Sequence, residues 1–159
     1  MSGSGLMSQT SVSKPALETK LYNPSENAEQ AIAGVVKKAH SEKKNVLIMA
    51  GGNWCSWCVE FNRFITSDPT IDSLVKSDFI VYHLNYSKEN INKETFTKYA
   101  FPQRFGFPVF IILDENGNYL HTQNSGYLEE GKSYNKEKVL DFLASWNKKA
   151  LDPASYINQ

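Results

Sequence analysis

A five-residue apolar run, Val46-Leu-Ile-Met-Ala50, stops at Gly51-Gly52-Asn53 and is followed at once by Trp54-Cys-Ser-Trp-Cys58. The run has strand length, and a strand without polar alternation is one covered on both faces. Such a strand belongs inside a sheet with helices on each side, which restricts the chain to a layered α/β architecture. Gly51-Gly52-Asn53 reads as a break where the backbone turns sharply. Cys58, Phe61 and Ile65 then recur on one helical face. Cys58 therefore points inward, and Cys55 stands at the helix's first turn.

The periodicity elsewhere supplies the layers. Ala28, Ala31, Ile32, Val35, Val36 and Ala39 line one face of a helix over 25–40, with Ser25 or Asn27 as its cap. Residues 41–45 form a solvated connector. Asp68-Pro69 ends the cysteine helix, and a short helix follows over 70–76. Residues 79–85 read as a strand, 92–100 as a helix, and 107–113 as a strand opening on a proline. Asp114-Glu-Asn-Gly117 is a hairpin turn leading to a strand over 119–123. A polar loop, 124–134, precedes a last helix over 136–149, capped by Asn135 and stopped at Asp152-Pro153. This order predicts an α/β fold, a central mixed β-sheet flanked by helices on both faces.

A chain of 159 residues holds one such domain, over 21–150. Residues 1–20 are Ser/Thr-rich and read as a disordered leader or a cloning scar, and 151–159 as a C-terminal tail. Seventeen basic residues cancel seventeen acidic ones, which argues against a nucleic-acid partner. The longest apolar run, 107–113, is far short of the roughly 20 residues of a membrane span. No export signal precedes the domain, although a trimmed exported protein would look the same. Two cysteines exclude a multi-disulfide scaffold and a closed four-cysteine zinc site.

The spacing Cys55-Ser-Trp-Cys58 after a buried strand points to redox chemistry. Cysteines three apart at a helix start can close a small disulfide. The free N–H groups and partial positive charge there stabilise a thiolate. Cys55, nearer the helix end and solvent, is the expected attacking thiol. Cys58, on the inner face, is the expected resolving thiol. Three other readings stay open on the residues alone: half of a zinc site completed from His40, His83 and His121, a purely structural disulfide, or two buried free thiols.

Trp54-Cys-Ser-Trp-Cys58 after a buried strand, with Phe107-Pro108 opening a later one, resembles the thioredoxin superfamily. It is most similar to divergent bacterial thioredoxin-like proteins with a WCxWC motif. The resemblance covers about residues 25–150, with a longer connection between the cysteine helix and the proline strand. It implies that Pro108 is cis and packs on the cysteines, and that the Phe107 backbone binds substrate like an added strand. On the residues alone, Pro108 is a proline tolerated at a strand's first position.

Two departures bear on mechanism. Met49 stands where thioredoxin has a buried aspartate, and His83 where it has a lysine, so His83 or a water is the candidate proton relay for Cys58. A half-exposed strand histidine is the plainer reading. Trp57 replaces the proline before the second cysteine, so thioredoxin's potential does not carry over. Trp54, Trp57, Phe107 and Tyr127 are candidates for an apolar rim around Cys55, with Trp57 on the outer side and Trp54 equally suited to the core. Gly126 resembles a glycine lining the family's substrate groove.

The resemblance implies a thiol:disulfide oxidoreductase, with reduction the favoured direction, acting on disulfide-containing proteins. The Cys55–Cys58 couple is its own redox group, and neither metal nor other cofactor is expected. A thioredoxin or a membrane thiol carrier would reset it. Relatives of this type point to the periplasm or cell envelope, with the cytoplasm as the alternative. A binding or chaperone-like module with incidental redox chemistry is the rival from another class; a peroxide reductase lacks any visible peroxidatic arrangement.

Overall fold

A computed structural model describes residues 20–158, so all but the last residue of the expected leader lies outside the described residues. The first helix, α1 (Ala28–Glu42), leads to β1 (Asn45–Gly51), which is buried along its whole length. The helix α2 (Ser56–Ser67) and α3 (Pro69–Asp78) follow, then β2 (Phe79–Asn85) and the short α4 (Lys93–Lys98). The chain continues as β3 (Val109–Leu113) and β4 (Tyr119–Asn124). Strand order is β2-β1-β3-β4. β1 is parallel to β2 and antiparallel to β3, and β3 and β4 form a hairpin. At its turn the Asp114 carboxylate accepts the N–H groups of Asn116 and Asn118, and Gly117 takes a φ of +82°.

Alternation along β1 divides the core in two. Val46, Ile48 and Ala50 face α1 and α4, against Ile32, Ala39, Phe96 and Ile111. Leu47 and Met49 face the opposite layer of α2, α3 and α5 (Lys136–Trp146), against Phe61, Ile71, Val139 and Leu143. The mixed sheet with helices on both faces is the architecture expected from the sequence.

The differences are local. Asn27 caps α1 by accepting the Gln30 N–H, and Asp68 caps α3 by accepting those of Thr70 and Ile71. β3 begins at Val109, leaving Phe107-Pro108 outside the strand. The expected loop over 124–134 contains a 3-10 turn (Ser125–Leu128) and a small hairpin of β5 (Glu129–Glu130) and β6 (Ser133–Tyr134). α5 stops at Trp146, three residues early, because the Asn147 side chain accepts the Ala150 N–H and starts a separate 3-10 turn.

Candidate active site

Cys55 is the N-cap of α2 rather than a residue of its first turn, with extended φ and ψ of −95° and 105°. From there its Sγ accepts the Cys58 N–H at 3.2 Å, as a cap oxygen would. The two sulfurs are joined in a disulfide, with Cα atoms 5.2 Å apart. Cys55 is only 5% exposed and Cys58 3%. The expectation of a solvent-facing Cys55 is thus corrected: Leu21, Trp57 and Phe107 pack over the pair.

The glycines before the motif make room rather than a turn. Gly51 is the last residue of β1, and neither Gly51 nor Gly52 has a positive φ. A Cβ on Gly51 would overlap the Cys58 sulfur and lie 3.0 Å from the Tyr22 hydroxyl. One on Gly52 would overlap the Trp54 indole and lie 2.9 Å from the Tyr86 carbonyl oxygen.

Of the two tryptophans, Trp54, for which the sequence leaves rim and core both open, is the exposed one, and Trp57 is not on the outer side as expected. Trp54 is 60% exposed; its indole N–H donates to the Tyr86 carbonyl at 2.7 Å, and its ring meets Phe107 edge-on at 5.8 Å. Trp57 is half-buried, edge-on to Tyr134 at 5.5 Å, and the Tyr134 hydroxyl donates to its carbonyl. Phe107 packs on the cysteine cluster and against Tyr86, and the peptide bond to buried Pro108 is cis. Beside Trp54 runs a groove of about 610 Å³, walled by Tyr86, Ser87, Lys88, Glu89 and Ile91. Gly126 and Tyr127 lie in the 3-10 turn after β4. Gly126 donates its N–H to the Asn124 side chain, and Tyr127 is 74% exposed without an aromatic neighbour among the described residues.

His83 pairs with Met49 across β1 and β2. Its Nε2 is buried with no hydrogen-bond partner among the described residues, and desolvation lowers its pKa. Its ring meets Tyr22 edge-on at 5.3 Å, and it is Tyr22 that belongs to the cysteine cluster. Asn53 holds Tyr22 by both backbone groups, accepting its N–H at 3.0 Å and donating to its carbonyl at 2.8 Å. Neither residue stood out in the sequence. Tyr22 is a single aromatic in an aperiodic segment, and Asn53 looked like a turn residue. The other histidines stand apart: His40 on α1 bonds Asn116, and His121 on β4 stacks on Trp146.

A thioredoxin-like family model matches residues 27–115. No curated protein matches the sequence. The fold is similar to that of a disulphide isomerase from Xylella fastidiosa Temecula1, with a TM-score of 0.68 and 20% identity over 78% of this chain and 94% of that one. It is also similar to the C-terminal domain of Neisseria meningitidis DsbD in its reduced form, with a TM-score of 0.55 and 16% identity over 75% and 96% of the two chains. A DsbH oxidoreductase gives a TM-score of 0.55 and 18% identity over 91% and 94%. At these identities the likeness is one of fold.

Proposed function

This chain belongs to the thioredoxin-like family, and from that premise we propose that Cys55 and Cys58 are its catalytic pair. The protein is a thiol:disulfide oxidoreductase. The observation that carries the reading is the Cys55 sulfur at the α2 N-cap, holding the Cys58 N–H while bonded to the Cys58 sulfur. In the reduced protein that cap favours the Cys55 thiolate. The thiolate attacks one sulfur of a substrate disulfide, and the other leaves as a thiolate and takes a proton. Cys58 then attacks the Cys55 sulfur, closing the Cys55–Cys58 bond and releasing the second substrate thiol. Two electrons and two protons pass to the substrate.

The direction proposed is reduction. Cys58 is 3% exposed among apolar groups, so its thiolate is costly. The gain on ionising is then confined to Cys55 at the cap, which limits how far the reduced form is stabilised and leaves it able to donate. Protein disulfides are the substrates, and an external dithiol, a thioredoxin or a membrane thiol carrier, resets the pair. The compartment that suits such substrates is the periplasm or cell envelope.

Trp54, Phe107 and Pro108 are the proposed substrate contacts, with Trp57 acting from beneath and Gly126 from the turn after β4. His83 keeps a proposed part in proton handling, at one remove from the sulfur behind Tyr22. The test is capture in a Cys58→Ser variant, together with the potential measured against glutathione. Substrate proteins held on Cys55 and a potential below that of glutathione support the reading. A variant that captures nothing, with Cys55 no more reactive than a free thiol, leaves a binding module instead.

A further inference from the structure

We infer that Tyr22 is the hydrogen-bond donor that makes the Cys58 thiolate accessible, in the absence of any carboxylate on β1. The inference rests on the exchange reading above and concerns its second step. During resolution Cys58 must lose its proton, and an anion in an apolar pocket is costly unless a donor is turned toward it.

Besides Tyr22, three elements bring titratable groups toward Cys58, and β1 brings none. On α2, Glu60 is committed to Arg63 and Ser133. On β6, the Tyr134 hydroxyl is committed to the Trp57 carbonyl, and Glu129 and Glu60 are the charges that act on it. On β2, His83 meets the ring of Tyr22 edge-on. β1 contributes Met49, Ala50 and Gly51, none of which ionises.

Tyr22 remains, and its placement is built. It is 2% exposed and packs with both cysteines. Its hydroxyl and the Cys58 sulfur both border the space above Gly51 that a Cβ would occupy. Asn53, two residues before Cys55, clamps its backbone on both sides and ties it to the motif. Burial pushes the hydroxyl's pKa up, so it keeps its proton and has an O–H to donate. In the step itself Cys58 gives its proton to water and its thiolate accepts the Tyr22 O–H. The thiolate then attacks Cys55 Sγ, and the substrate sulfur leaves and is protonated by solvent. Tyr22 is unchanged at the end.

A Cys55→Ser variant has Cys58 as its one thiol, and thiolate absorbance against pH reads its ionisation directly. Adding Tyr22→Phe keeps the ring and removes the donor. The Cys58 pKa is expected to rise by about one to two units, the worth of one charge-assisted hydrogen bond. Incorporation of 3-fluorotyrosine at position 22, a stronger donor of nearly the same shape, is expected to lower it, and this arm still decides if Tyr22→Phe does not fold. A Cys58 titration unmoved by either change overturns the inference. Because the titration needs no turnover, it is independent of whether the wild-type protein exchanges disulfides.

Discussion

Gly51 carries no side chain because the Cys58 sulfur occupies the place of its Cβ, with the Tyr22 hydroxyl 3.0 Å from it. In the oxidised protein the Cys58 sulfur is bonded to Cys55 and cannot turn aside. Gly51→Ala is therefore expected to destabilise the oxidised form by about 1–3 kcal/mol, the cost of overpacking a filled site. Gly34 is the control. It lies exposed inside α1 with nothing within 4 Å of a built Cβ, so Gly34→Ala is expected to stabilise by about 0.5–1 kcal/mol. Urea unfolding of the two variants gives both signs in one experiment; equal effects would contradict the packing account. Sequence alone could not separate these glycines. What makes Gly51 obligatory comes from Tyr22 and Cys58, residues brought to it by the fold, and local spacing carries no trace of that. Cys55, Cys58 and Pro108 were legible because their chemistry lies in the residue types themselves. Tyr22 was not, since one aromatic without periodic neighbours carries no signal.

Elements with a period were readable, and those without were not. β1, β2 and α2 show their burial in the order of their residues. β5 and β6 have two residues each and no period, so a polar loop was the natural reading for the segment that delivers Tyr134 to the core. β2 also carries a pH-dependent element. Desolvation lowers the pKa of His83 in the folded chain. Above the unfolded value of about 6.5, both states hold the ring neutral and stability is at its full level. As pH falls below it, the unfolded chain binds a proton that the folded one resists, and stability declines until the folded value is passed. Urea midpoints between pH 7.5 and 5.5 should fall in the wild type, and less steeply in His83→Gln. An identical decline in both would show that His83 is not the group responsible.

Across the whole molecule, two helical layers bury the sheet on both faces and leave the reactive pair at the end of β1 under an aromatic cover. The proposed site lies at this edge, where Trp54 is exposed beside a groove of about 610 Å³. An exposed indole that serves docking rather than packing makes a separable prediction. Trp54→Ala should lower stability by about 1–2 kcal/mol, the loss of one hydrogen bond and an aromatic edge at a largely exposed side chain. It should lower kcat/KM for a protein disulfide several-fold and leave alkylation of reduced Cys55 by a small reagent unchanged. Equal loss toward protein and small reagent would place Trp54 in the chemistry instead of the docking.

The central claim is that the α2 N-cap holds Cys55 as the ionised, attacking sulfur. Its most direct test is the rate of iodoacetamide modification at each cysteine of the reduced protein as a function of pH, resolved by mass spectrometry. The account predicts that Cys55 reacts first and stays reactive well below the free-thiol pKa of about 8.5. Modification of Cys58 first, or a Cys55 profile indistinguishable from that of a free thiol, would contradict it.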